Sequence, residues 1–172
     1  DNKRITNLIG AYVQDQISFG KSFRALLSLR YDNYSGKETP LSARDSKQGD
    51  ALEASGWIPR LGLVYLPAEN ISVYGTYLRS FNPQTSNNVQ SGGPFPTRTA
   101  TQYELGAKAE LLKGLLSAML SAYQIDYANI LTAAPTPENS HRQAAIDGTR
   151  SKGIEFSLSG TIQHFNIISG YA

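Results

Sequence analysis

The sequence predicts an all-β fold built from the antiparallel strands of a transmembrane β-barrel. Three observations predict it: strand-length segments alternate apolar with polar residues, the connections between them alternate short with long, and the composition is that of a β protein. At 172 residues the chain is long enough for one domain with a sizeable core, so composition must choose the class. Tyrosine occurs ten times, and the β-branched and aromatic residues sit in short runs bounded by Gly, Pro and Asn.

Residues 9–17 alternate imperfectly, but residues 23–31 do so cleanly. Phe23, Ala25, Leu27, Leu29 and Tyr31 share one face, with Arg24, Leu26, Ser28 and Arg30 on the other. The first face suits hydrocarbon and the second suits water. Residues 59–66 and 71–81 follow with weaker alternation. Residues 102–111 then set Tyr103, Leu105, Ala107, Ala109 and Leu111 against Gln102, Glu104, Gly106, Lys108 and Glu110, a charged face that needs water. Residues 115–127 supply a partner strand, and residues 153–159 place Ile154, Phe156 and Leu158 opposite Glu155, Ser157 and Ser159. With an incomplete final strand the chain holds about eight strands.

Short connections fall at 20–21, 67–70, 113–114 and 161–164. Long ones, rich in Gly, Pro, Ser and Asn, run over about 35–55, 82–98 and 133–148. Tight turns at one rim and long loops at the other are the order found in outer-membrane barrels. One segment resists this reading. Leu111, Leu112, Leu115, Leu116, Met119, Leu120 and Tyr123 recur at helical spacing, so residues 110–123 taken alone fit an amphipathic helix. Gly114 inside it favours a turn and hence a hairpin.

Several classes are excluded. Charged residues make up 17% of the chain and its net charge is +2, which provides no basic stripe for nucleic acid. There are no cysteines, so disulfides, thiolate metal sites and cysteine nucleophiles are absent. No apolar stretch reaches the roughly 18 residues of a membrane-spanning helix, and a membrane role therefore requires a barrel. Residues 1–5 carry no apolar h-region, so any signal peptide has been removed or lies outside the chain.

Particular strings now point to a family. Tyr12-Val13-Gln14-Asp15-Gln16 followed by Ser28-Leu29-Arg30-Tyr31-Asp32 resembles the paired strands of TonB-dependent siderophore receptors, in which a YVQDQ strand precedes an LRYD strand. Pro59-Arg60-Leu61-Gly62-Leu63-Val64-Tyr65 and Tyr74-Gly75-Thr76-Tyr77-Leu78-Arg79-Ser80-Phe81-Asn82-Pro83 are similar to that family's next hairpin. Gln102-Tyr103-Glu104-Leu105-Gly106-Ala107-Lys108 is similar to its QYELGVK strand, and Ser151-Lys152-Gly153-Ile154-Glu155-Phe156 to its SRGVEL strand. Each string alone is strand grammar; together, in the family's order across almost the whole chain, they make a specific match.

The resemblance implies a barrel of about 22 strands with a plugged lumen in the bacterial outer membrane. It also implies that residues 1–172 are a partial barrel domain, with the plug domain, its TonB box and the first and last barrel strands lying outside them. The transported ligand would be a ferric siderophore, which holds Fe(III) with its own oxygens, so no cofactor or metal bound directly by the protein is expected. TonB would act through the plug. Outer-membrane lipid and lipopolysaccharide would be the surrounding partners.

Recognition of such a chelate needs aromatic faces and hydrogen-bond donors near the rim of the long connections. By position the candidates are Tyr34, Trp57, Arg79, Phe81, Arg98 and Tyr127, with His141 and Arg142 on the third long connection; Arg79 and Phe81 lead. For Tyr34, Trp57 and Tyr127 taken singly, the favoured expectation is an aromatic girdle at the headgroup level, which needs no ligand. Arg79 and Arg98 fit equally well as partners of lumen carboxylates such as Glu104 or of lipopolysaccharide phosphates. Lys37, Arg44 and Lys47 stand among Glu38, Asp45, Asp50 and Glu53, so no field of one sign selects a ligand.

No catalytic site is expected. There are two histidines and no Ser/His/Asp grouping in a recognisable context. Asp126, Asp147 and Glu155 are read as lumen charges paired with Arg or Lys, and Ser91-Gly92-Gly93-Pro94 as a loop breaker. Two rival classes remain open at this point: a passive porin, and a soluble β-sandwich in which the apolar faces of residues 23–31 and 102–111 would pack on each other.

Overall fold

The computed structural model describes residues 2–40, 51–84, 95–140 and 142–172. Ten strands follow in chain order: β1 (Asn2–Phe19), β2 (Phe23–Pro40), β3 (Ala51–Ala68), β4 (Ile71–Asn82), β5 (Arg98–Leu111), β6 (Leu116–Ala128), β7 (Ile130–Ala133), β8 (Gln143–Ile146), β9 (Thr149–Ile162) and β10 (Phe165–Tyr171). Eight form one antiparallel sheet in the order β1-β2-β3-β4-β5-β6-β9-β10, while β7 and β8 pair as a separate hairpin in the third long connection. Among the described residues β1 and β10 do not pair with each other, so the sheet is an arc and not a closed cylinder.

The segment with helical spacing is a hairpin. Leu112, Lys113 and Gly114 take φ of 51°, 60° and 88°, a left-handed run that reverses the chain between β5 and β6, and the amphipathic-helix alternative is overturned.

Register carries the alternation from strand to strand. Residues paired directly across antiparallel strands share a face, and the rows Phe19–Phe23–Tyr65, Leu27–Leu61–Tyr77–Tyr103 and Leu105–Ala122–Ile154 all lie on one side. Ring pairs bracket this apolar band. Phe23 and Tyr65 stack at 4.7 Å near the short turns, while Tyr31–Trp57 at 4.8 Å and Tyr77–Tyr103 at 5.3 Å lie toward the long connections. Asp15 interrupts the band opposite Leu27, with no partner among the described residues, which explains the imperfect alternation of residues 9–17.

Nothing covers the band. Leu27, Leu29, Leu105 and Phe156 are 44%, 40%, 64% and 39% exposed, and the buried apolar or aromatic side chains among the described residues are only Ala25, Tyr34, Phe95 and Leu116. A β-sandwich would have sealed these faces against a second sheet, so that rival fails.

Two expectations about the connections are corrected. The first long connection is shorter than residues 35–55, because Ser35 to Pro40 pair with Asn7 to Asn2 and Ser35 to Lys37 pair with Glu53 to Ala51. Residues 35–39 are polar or glycine, yet their backbone remains in the ladder with β1. The third connection contains β8 and is not wholly irregular. Since about 9–11 residues cross a bilayer, the 18-residue strands β1, β2 and β3 stand well beyond it on the long-connection side.

Leu61 lies midway along the band of β3. Leu61→Lys is expected to lower unfolding stability of the full-length protein in lipid vesicles by about 2–4 kcal/mol, whereas Ser28→Lys on the polar face stays within about 0.5 kcal/mol. Equal costs at the two positions in denaturant titrations would contradict the assignment of faces.

Candidate functional site

The polar face is a fitted surface, not a loose array of charges. On β4 and β5 the Tyr74 hydroxyl donates to Glu104 Oε1 at 2.7 Å and Gln102 Nε2 donates to Glu104 Oε2 at 3.1 Å, so both carboxylate oxygens are engaged. The Tyr74 ring lies flat across its cross-strand partner Gly106, where a Cβ would come within 2.5 Å of it; Tyr123 lies likewise across Gly153. Only glycine lets these rings approach the neighbouring backbone. On β2, Arg30 Nε donates to Asp32 Oδ1 at 2.6 Å, and the Asp32 carboxylate sits over Gly10.

At the long-connection end of this face, Ser80, Asn82, Arg98, Gln102 and Tyr127 border a concavity of about 200 Å³, and the Arg98 guanidinium stands over the Tyr127 ring, 5.5 Å from its centre. Above it, Gln84 Nε2 donates to Pro96 O at 2.8 Å and to Asn129 O. Asn129 Nδ2 donates to Thr97 O, and its backbone N–H donates to Asp147 Oδ1, both at 2.8 Å. Asn129 takes a φ of 59°, a conformation that asparagine tolerates better than most residues. This knot ties the second and third long connections together, and Phe95, next to Pro96 in the chain, is buried. Sequence reading missed Gln84 and Asn129; the one available signal was an Asn directly after a strand.

Of the candidates, the structure brings Arg98 and Tyr127 together and separates the rest. Tyr34 is buried on the polar face, its hydroxyl 3.5 Å from Thr6 Oγ1, and Tyr127 shares that face, so neither belongs to a girdle. Trp57 is exposed on the apolar face against Tyr31, the face a girdle would occupy. Arg79 and Phe81 stand two residues apart near the long-connection end of β4 but differ in their surroundings. Arg79 shares the outward face of Thr101, and the half-buried Phe81 ring packs on Gly56, where the β3–β4 ladder has stopped at Arg60–Leu78. Arg142 is exposed in the hairpin that precedes β8. His141, the mixed charges from Arg44 to Asp50, and the Ser91 to Pro94 breaker lie outside the described residues.

The three acids are also scattered. Asp126 is paired with Arg150 as expected, but on the outward face above the band; Asp147 accepts from Asn129, and Glu155 faces the polar side. Among the described residues no group of three or more such ligands could hold a metal ion.

The model of the TonB-dependent receptor-like β-barrel domain matches residues 1–172. The chain belongs to this family. Its polar face therefore lines the lumen of an outer-membrane receptor barrel, its apolar face meets lipid, and the long connections lie on the outer side. The chain is 29% identical over 167 residues to the metal-pseudopaline receptor CntO of Pseudomonas aeruginosa, covering 93% of this chain and 23% of that protein. It is 35% identical over 120 residues to the ferric-pyoverdine 358 receptor of Pseudomonas putida, covering 66% of this chain and 14% of that one. The fold matches the ferripyoverdine receptor of the Pseudomonas aeruginosa outer membrane, solved bound to ferripyoverdine, with a TM-score of 0.81 at 22% identity over 97% of this chain and 22% of the other. The chain thus spans less than a quarter of each of these receptors.

Interlocking of ring and glycine in the wall is testable by a double-mutant cycle. Gly106→Val is expected to cost about 1–3 kcal/mol of stability, and Tyr74→Ala in the same chain to recover part of that cost. Strictly additive losses in thermal unfolding would show that the two residues do not touch.

Proposed function

We propose that residues 1–172 form part of the lumen wall and three outer connections of a receptor that captures a ferric siderophore at the cell surface, movement through the barrel being driven by TonB acting on a plug domain outside this chain. The observation that carries this reading is the open arc with a charged, hydrogen-bonded lumen face. Eight strands closed on themselves would have an interior filled by side chains, whereas a barrel of about 22 strands encloses a plugged lumen wide enough for a bulky chelate. The ligands in the names of the relatives, pyoverdine and metal-pseudopaline, support the ligand class. The chelate supplies the donor atoms that hold the metal, so the receptor need only recognise its periphery. Outer-leaflet lipopolysaccharide is the partner at the lipid-facing side.

Arg98 and Tyr127 supply the contact, a fixed guanidinium beside an aromatic face at the mouth of the lumen, and Arg142 on the outer hairpin adds a second cation. Binding of ferric siderophores to the full-length receptor tests this. Arg98→Ala and Tyr127→Ala are each expected to weaken binding about ten-fold, the loss of one charge-assisted or stacked contact, and Arg24→Ala near the short turns to leave it unchanged. Unaltered affinity in both rim variants would remove these residues from the site; steady open conductance in single-channel recordings would instead favour a porin.

A further inference from the structure

Toward the long connections the wall is not continuous. The ladder between β3 and β4 ends at Arg60–Leu78, although β3 stays paired with β2 as far as Ala51 and β4 with β5 as far as Asn82. The next pair in register would be Pro59 with Arg79, and proline has no N–H to donate across it. Among the described residues no hydrogen bond or ion pair joins residues 53–59 to residues 79–84.

Each side of this split is tied within itself. On one side β1, β2 and β3 run on in register to Asn2–Pro40 and Lys37–Ala51, with the Tyr34 hydroxyl beside Thr6 Oγ1. On the other, Gln84 and Asn129 join the ends of β4, β5 and β6. The contact across the split is a ring. Phe81 is half-buried, and the three atoms nearest to where a Cβ of Gly56 would stand all belong to its ring, the closest at 2.6 Å. Gly56 keeps its pairing with Asp32 and has no positive φ, so its backbone would admit any residue. Glycine is needed there for the ring.

We propose that the split divides the outer wall into two leaves hinged at Pro59, and that the Phe81 ring, seated on Gly56, is the latch that holds the β1–β3 leaf against the other. Once the ring leaves its seat no hydrogen bond between the leaves has to break, and the cost of opening is that of exposing one half-buried aromatic side chain. The leaf reaches about 26 Å from Pro59 to Ala51 at roughly 3.3 Å per residue, so a small rotation at the hinge changes the width of the mouth. Ser80 and Asn82, on either side of Phe81 in the chain, border the concavity beside Arg98 and Tyr127. Whatever fills that concavity therefore fixes the chain at both flanks of the latch. The inference rests on the pairing of the strands and not on the identity of the transported ligand.

The test uses full-length receptor in lipid vesicles, with double electron–electron resonance between nitroxides at Glu53→Cys on one leaf and Thr132→Cys on the other, both exposed positions, in a background without other cysteines. The parent is expected to give one narrow distance. Phe81→Ala should shift that distance by about 5 Å, or spread it over that range, as a swing of roughly 10° does at the tip of the leaf. Gly56→Val, which keeps the ring but denies it the seat, should do the same, valine being well suited to a strand. In the Phe81→Ala chain Gly56→Val should add nothing, because seat and ring act as one unit. Heat-modifiable mobility on gels reports that each barrel is folded. Parental distance and width in both folded single variants overturn the proposal. So does a shift in the double variant equal to the sum of the two, which would mean that ring and glycine act separately. A receptor that carries no ferric siderophore would refute the transport reading and leave each of these outcomes as it stands.

Discussion

Hydrocarbon offers no hydrogen-bond partner to a peptide group, so inside the bilayer every backbone N–H and C=O must be satisfied by the next strand. That constraint organises the whole chain. It forces an antiparallel ladder from β1 to β10, irregular between Tyr65 and Ala68 of β3, and the ladder in turn fixes which residues share a face across eight strands. Side chains then need only obey a two-residue period, apolar toward lipid and polar toward the lumen. No hydrophobic core is required, and among the described residues almost none exists.

With no interior to fill, stiffness must come from the wall itself. Tyr74 over Gly106, Tyr123 over Gly153 and Asp32 over Gly10 repeat one device, a large side chain laid across the bare backbone of its cross-strand neighbour. The lumen surface is thereby kept low and ordered, with the carboxylate of Glu104 held by two donors and not free to swing. Farther out, the knot of Gln84, Asn129 and Asp147 extends the same rigidity into the connections, so that Arg98 and Tyr127 sit below an anchored rim.

Where the side-chain period was strong, the fold was legible from residues alone. Residues 23–31, 102–111 and 153–159 were assigned to the faces the structure gives them, because a one-residue error would have put charges into lipid. The strand extensions at 35–40 and 51–55 were not legible, since pairing above the membrane places no demand on polarity and Ser-Gly-Lys reads as loop. The site was harder. Tyr34 has the opposite parity to Phe23 and Tyr31, so its lumen face could have been deduced by counting; Tyr127 was obscured by the helical spacing of residues 110–123. For Arg79 the residues left a lumen carboxylate and an outer phosphate equally open, because polarity alone does not distinguish a wet bore from the outward face above the hydrocarbon; only the pairing of Arg79 with Thr101 fixes its side. The hairpin of β7 and β8 depends on Asn129 adopting a left-handed conformation, which no periodic pattern announces.

The arc has two free margins. β1 presents 18 residues and β10 seven, and each margin is a row of donors and acceptors that has no mate among the described residues. Such a margin templates whatever extended chain it meets. An isolated copy of this segment would therefore tend to stack edge to edge with its siblings, whereas pairing both margins with further strands would convert that stickiness into a seam.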